Sequence, residues 1–175
     1  MFTQLLAKSP ARKTGEQLYL AAASHARSPP LYADLRVPDT VEGRFELLTL
    51  HVILLIDRLD DGRADTAAVR QTLFDAYVSN LDGALREMGV GDLGVGKRMR
   101  KLGEAFYGRA QAYQAAFLAL PDLGPLVEVI ARTVFEGAPP DTTHSLADYV
   151  RRTRESLAAG DTARLVAGAP AWTTP

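Results

Sequence analysis

The apolar segment from Phe45 to Ile56 constrains the fold of this chain more than any other. Its apolar residues recur in steps of three and four, the spacing of one helix face, and further apolar residues fill the positions between them. A helix that is apolar on nearly every side belongs at the centre of a helical domain. The segment is bounded by Arg44 and Asp57, and it is shorter than the roughly 20 apolar residues that a membrane span needs.

Capping residues and helix breakers divide the rest of the chain into further helices. No stretch shows the sustained alternation that predicts a strand, so the sequence predicts an all-α, single-domain bundle of about six helices. A glycine-rich loop, Gly89–Gly96, separates the third predicted helix from the fourth. The predicted helices run from Thr14 to Ser28, from Asp39 to Leu59, from Asp65 or Thr66 to Gly89, from the end of that loop to Pro121, from about Leu123 to Glu136, and from Thr142 or Thr143 to Gly160.

The length of 175 residues suits one domain with its own core. We expect residues 1–36 to form an N-terminal helical arm that packs less tightly than the rest. Residues 37–167 form the main helical domain in this interpretation, and residues 168–175 form a flexible tail.

Composition excludes several classes of function. The formal net charge of −1 gives no overall attraction to nucleic acid, and we expect no DNA partner. Cysteine is absent and the three histidines are scattered, which excludes thiol chemistry and argues against a metal site. The N-terminus lacks the features of a secretory signal. We therefore expect a cytoplasmic protein, and peripheral attachment to the cytoplasmic face of the inner membrane stays open.

The glycine loop fits the spacing of two nucleotide-binding motifs. Gly89, Gly91 and Gly94 match the dinucleotide pattern, and Gly91 with Gly96 and Lys97 matches the P-loop. Both motifs need a strand before the loop, and here the preceding residues have helical periodicity. The P-loop also needs Ser or Thr after its lysine, where this chain has arginine. The loop is therefore interpreted as a connector between helices, and no cofactor is expected.

A basic cluster follows the glycine loop: Lys97, Arg98, Arg100 and Lys101. Cations are unfavourable at the start of a helix, where the helix dipole is already positive. Two interpretations remain open. The cluster is a solvated group of charges, or it docks onto an anionic surface such as an acidic peptide, RNA phosphate or lipid headgroups.

Gly108 and Arg109 interrupt the apolar stripe of the fourth predicted helix. Glycine inside a helix costs about 1 kcal/mol relative to alanine, so we expect another helix to approach Gly108 closely. A buried arginine needs a carboxylate or carbonyl partner, and Asp75, Asp82 or Glu87 could supply one. Such a pair would tie the third and fourth predicted helices together and shape a groove near the glycine loop.

Four charged residues lie around this loop. Arg86 is four residues after Asp82, so the two form either a plain surface ion pair or, with Glu87, a clamp on the loop or on a partner. Asp92 is expected to cap the fourth predicted helix or its loop.

Two other residues are interpreted as structural. His51 lies in the most apolar helix without a catalytic partner at an informative spacing, so we expect a hydrogen-bonded core histidine. For Trp172 the sequence leaves two alternatives: it pins the tail to the domain, or it is exposed.

Several of these segments together resemble the ubiquinol-cytochrome c chaperone family. The resemblance is close from about Leu31 to Leu120. It rests on Asp39–Glu46, Leu73–Ala76, Leu81–Lys97 (LDGALREMGVGDLGVGK), Phe106–Arg109 and Ala112–Tyr113. It implies a non-enzymatic, all-helical chaperone. Mitochondrial members bind newly made cytochrome b, work with a small partner protein and associate with ribosomes near the exit tunnel.

These observations lead to one expected function and two alternatives. We expect an assembly factor for ubiquinol-cytochrome c reductase that binds a membrane-protein client through a groove and the basic cluster. The alternatives are an RNA- or membrane-surface adaptor that uses the basic cluster, and an enzyme that binds a phosphorylated ligand in the glycine loop. The expected partner-binding residues are Asp82, Arg86, Glu87, Asp92, Lys97, Arg98, Arg100, Lys101, Tyr107, Arg109 and Tyr113.

Overall fold

The computed structural model describes residues 10–175, apart from the side chain of residue 93, and this part of the chain is helical without strands. The all-α prediction is confirmed. The first nine residues of the predicted arm lie outside the described range. The helices are α1 (Pro10–His25), α2 (Pro29–Ala33), α3 (Val41–Leu59), α4 (Ala64–Glu87), α5 (Asp92–Leu118), α6 (Gly124–Thr133), α7 (Thr143–Ala159) and α8 (Thr162–Val166).

Helix α3 lies at the centre of the bundle, as its apolar sequence predicts. It packs against α1, α4, α5 and α7, and its side chains include the fully buried Leu47, Leu50 and Leu54. The helix begins after Thr40, whose hydroxyl accepts a hydrogen bond from the Gly43 amide at 3.1 Å. The predicted cap, Asp39, is therefore wrong by one residue, and Asp39 pairs with an arginine of the first turn instead.

Helix α1 packs most extensively against α4. The contact is close because Gly15 has no side chain: a Cβ there would lie 2.3 Å from Thr72 Oγ1 and 2.6 Å from the Leu73 amide nitrogen. Thr14 does not cap the helix as predicted, because α1 already begins at Pro10. Its hydroxyl donates instead to the Val166 carbonyl at 2.8 Å.

Gly15→Ala is expected to lower the free energy of unfolding by about 2 kcal/mol, because the added methyl forces α1 away from the α4 backbone. The matched control is Gly108→Ala on α5, where an added Cβ meets no atom within 4 Å. That variant should be more stable by about 1 kcal/mol, since alanine is the better helix former. Denaturant unfolding measures both, and equal effects would contradict the close approach of α1 and α4.

The turn between α4 and α5 is shorter than the predicted glycine loop. Gly89 has φ 78°, the left-handed conformation expected after a helix, and Gly91 already caps α5. Gly94 and Gly96 lie inside α5, so the basic cluster begins at the sixth residue of the helix rather than at its start. The predicted conflict with the helix dipole is therefore wrong, because that effect fades beyond the first turn.

The remaining helix boundaries match the predictions in part. Pro125 lies in the first turn of α6, and Gly160 ends α7, as predicted. Helix α4 begins at Ala64, with Arg63 rather than Asp65 or Thr66 at the cap position. The structure also contains α2 and α8, two short helices that the prediction of about six did not include.

A cluster of rings holds the last residues against the bundle. Trp172 stacks on His25 of α1, with ring centres 4.9 Å apart, and its edge-on contact with His51 of α3 spans 5.4 Å. His51 Nδ1 donates to the Leu47 carbonyl at 2.7 Å, and its Nε2 accepts from the Tyr149 hydroxyl at 2.8 Å. His51 is thus the core histidine that was predicted, and Trp172 pins the tail. The boundaries at residues 36 and 167 stay a prediction.

Candidate functional site

An apolar groove of about 620 Å³ opens between α1, α3, α4 and α5. Its walls include small residues at and just after the end of α1. Its larger apolar side chains are Val41, Phe45 and Leu48 from α3, Leu81 and Leu85 from α4, Met88 at the C-terminal cap of α4, and Leu102 from α5. The volume lies in the range of ligand-binding clefts in proteins. We refer to this cavity as the apolar groove.

Arg109 and Glu46 form a bidentate ion pair in the groove wall. Arg109 Nε donates to Glu46 Oε2 at 2.7 Å, and Arg109 Nη2 donates to Oε1. The side chains are 24% and 9% exposed. The guanidinium also lies 5.8 Å from the centre of the Phe45 ring, and its hydrogen bonds to Glu46 raise the pKa of Arg109. A carboxylate partner was predicted, but Asp75, Asp82 and Glu87 were the wrong candidates, because α5 presents Arg109 to α3 rather than to α4.

The predicted residues around the α4–α5 turn form a separate surface. Arg86 donates to Asp82 at 2.6 Å and also to Asp92, so it links the end of α4 to the first residue of α5. Both alternatives for Arg86 are therefore present in part, a surface ion pair with Asp82 and a link across the turn to Asp92, whereas Glu87 forms no ion pair within residues 10–175. Asp92 is not the cap of α5, since Gly91 occupies that position. Glu87 is exposed, and none of these four residues lines the apolar groove.

The basic cluster is exposed on α5. Arg100 lies 3.4 Å from a carboxylate oxygen of Glu104. Within residues 10–175, neither lysine of the cluster nor Arg98 forms an ion pair. Arg98 precedes Leu102 by one helical turn and therefore shares the face of α5 that borders the groove.

The two predicted tyrosines differ in their surroundings. Tyr107 is 62% exposed, and its ring lies 6.0 Å from those of Phe74 and Phe106. Tyr113 is buried, with its hydroxyl 3.2 Å from Thr133 Oγ1, and burial raises its pKa. The expected close approach of a helix at Gly108 is wrong, because space there is open. Of the residues predicted to bind a partner, only Arg109 lines the groove.

Sequence reasoning missed the part of the groove that α1 supplies. Ala23, near the end of α1, and Ala26 and Arg27, which follow α1, line it. The helical spacing of the sequence predicts a buried face that includes Ala26 but not Ala23. Phe45 and Leu48 belong to the apolar stripe of α3, and their intermediate exposure is visible only once the neighbouring helices are in place.

Comparison with known sequences identifies the family. The sequence model of the ubiquinol-cytochrome c chaperone family matches residues 33–172, most of the chain. The chain belongs to this family. The resemblance seen in the sequence is thereby confirmed, and so is a role as a chaperone or assembly factor.

A solved structure supports this family membership. The chain is similar to the crystal structure of the Cbp3 homolog from Brucella abortus, with 32% sequence identity and a TM-score of 0.84. The match covers 94% of this chain and 91% of that one. No curated protein sequence matches the chain significantly.

Residues 10–175 of this family member contain neither a membrane-spanning helix nor a cluster of metal ligands. No helix in that range is both long and apolar enough to cross a membrane. No group of three or more His, Asp or Glu side chains in that range is arranged to hold a metal ion.

Proposed function

We propose that this family member binds an apolar segment of newly made cytochrome b in the apolar groove during assembly of ubiquinol-cytochrome c reductase. Binding is reversible and involves no covalent chemistry. The observation that carries the proposal is that the apolar lining continues out of the groove. Val41 and Met88 both line the groove and are 70% and 61% exposed.

An exposed apolar rim suits a polypeptide client better than a small molecule. Small-molecule sites enclose most of the ligand surface, whereas exposed apolar side chains beside a groove gain most from a partner that extends beyond it. An apolar helix can lay one face into such a groove, with side chains three and four residues apart as anchors. The family supplies the expected client, and the groove supplies a surface for it.

Met88→Asp is expected to weaken client binding about tenfold or more, because the bound client would bury a carboxylate without a partner. The measurement is affinity purification of the protein from native membranes, with cytochrome b quantified in the eluate. Leu118→Asp is the matched control: Leu118 is 88% exposed at the end of α5 and does not line the groove.

Met88→Asp and Leu118→Asp should both keep the wild-type helical content, since both side chains are exposed. Recovery of cytochrome b with the Leu118 variant but not with the Met88 variant supports the proposal. Failure of the wild-type protein to recover cytochrome b, or equal recovery with both variants, would refute it.

The basic cluster supports a second candidate function, binding to RNA or to an anionic membrane surface from the cytoplasmic side. Three of its four cations, Lys97, Arg98 and Lys101, form no ion pair within residues 10–175 and are exposed to phosphate in solution. Such binding weakens as salt rises. In this candidate function, the ribosome or a small partner protein would bind the same basic cluster. Salt-sensitive binding to RNA or anionic vesicles without any recovery of cytochrome b would favour this candidate over the groove.

A further inference from the structure

A second cavity adjoins the apolar groove. This side cavity, of about 510 Å³, is lined by Arg27, Pro29, Tyr32, Ala33, Asp39 and Arg44. Arg27 and Arg44 line both cavities, so two guanidinium groups stand where the apolar groove meets the side cavity.

These two arginines retain unused hydrogen-bonding capacity. Arg44 Nε lies 2.6 Å from Asp39 Oδ1, but its two terminal nitrogens form no hydrogen bond within residues 10–175. Arg27 forms no ion pair in that part of the chain. Two arginines face one aspartate, so the side cavity has a net positive charge.

The helical register of α3 separates the charges of the groove. Val41, Phe45 and Leu48 form one apolar stripe on α3, and Arg44 lies about 100° to one side of Phe45. Glu46 lies about 100° to the other side, where it meets Arg109 of α5. The side of α3 toward α2 is therefore basic, whereas the two α3 carboxylates that line the groove, Glu42 and the ion-paired Glu46, lie on the side toward α5. Glu136, which follows α6, also lines the groove.

We propose that the apolar groove selects segments that carry an acidic side chain along one edge of their apolar face, held by Arg27 and Arg44. The inference rests on the proposed function and specifies the chemistry of the client. A carboxylate fits because arginine offers several N–H donors in a plane and binds carboxylates in a defined geometry. The apolar lining on the other side of the arginines requires that the rest of the segment be apolar.

The test uses three fluorescent helical peptides with the same leucine stripe. One edge of the stripe carries Glu, Gln or Lys, and the other edge carries Gln in all three. A helix can enter the groove in either direction, so the Glu peptide is free to place its charged edge beside the arginines. We expect wild-type protein to bind the Glu peptide roughly fivefold more tightly than the Gln peptide, a ratio that matches the contribution of a partly exposed ion pair. The Lys peptide should bind most weakly.

Arg27→Glu should reverse this order, so that the Lys peptide binds best. The matched control is Arg164→Glu on α8, an exposed arginine that lines neither cavity, and it should keep the wild-type order. Equal binding of the three peptides by wild-type protein, or an unchanged order in Arg27→Glu, overturns the inference but leaves the groove as a client site. Absence of binding by all three peptides overturns the proposed function and this inference with it.

Anionic lipid is the other source of a negative group that two arginines could hold. Vesicles of phosphatidylglycerol distinguish it from an acidic peptide. Vesicle binding that Arg27→Glu abolishes, with no discrimination among the peptides, would assign the two arginines to lipid and overturn the inference.

Discussion

Arg109→Met is expected to lower the free energy of unfolding by about 3 kcal/mol. The substitution keeps most of the apolar stem but leaves Glu46, which is 9% exposed, without its cation. A buried carboxylate must then be desolvated alone or take up a proton, and either change favours the unfolded chain. Chemical denaturation monitored by circular dichroism measures the loss.

The double variant Glu46→Gln/Arg109→Met should recover more than half of that loss, because no unpaired charge remains. Arg44→Met is the matched single substitution: it breaks an ion pair whose two side chains are more than half exposed, and its effect should be a small fraction of that at Arg109. An Arg109 variant as stable as the Arg44 variant would show that the Glu46 pair does not hold α5 against α3. Loss of client binding in the stable double variant would add a direct binding role for Arg109.

Acidification from pH 7 to pH 4 is expected to cost about 3 kcal/mol of stability through His51 alone. Burial lowers the pKa of His51 from 6.5 to about 4 in the folded protein. Between these values the unfolded chain binds a proton that the folded protein does not, so stability is complete above pH 6.5 and decreases as pH falls. Burial also lowers the pKa of His25, which contributes in the same direction.

His51→Gln separates this effect from the titration of the carboxylates. Glutamine does not titrate and retains hydrogen-bonding groups near Leu47 and Tyr149, so the variant should lose less stability between pH 6.5 and 4 than wild type. His144→Gln, at an exposed position on α7, should keep the wild-type pH dependence. The same pH dependence in wild type and His51→Gln would contradict the prediction. In wild type, NMR signals of the His51 ring should not titrate between pH 8 and 5.

The sequence predicted the long helices because each buries a stripe that extends over several turns. The central position of α3 follows from its apolar residues alone. Helices α2 and α8 have five residues each, too few to show a period, and α2 begins at Pro29 and Pro30, residues that usually end a helix. Proline is compatible with a first helical turn, since its missing N–H has no partner there.

The candidate site was harder to predict than the fold. Helical spacing placed Arg109 on a buried face, but it carries no information about which helix lies opposite. Glu46 is 63 residues away in the chain, and the contact depends on how α3 and α5 cross. The same reason explains the missed contribution of α1 to the groove: its residues meet those of α3 and α4 only through tertiary packing.

The stacking of Trp172 on His25 has a practical consequence for spectroscopy. Trp172 is the sole tryptophan of the chain, so the intrinsic fluorescence of the protein reports on the junction of the C-terminal residues with α1, α3 and α7. Far-ultraviolet circular dichroism instead averages over all helices. When both signals are followed in one unfolding experiment, coincident curves indicate a single cooperative transition, and an earlier fluorescence change indicates that the C-terminal residues detach first.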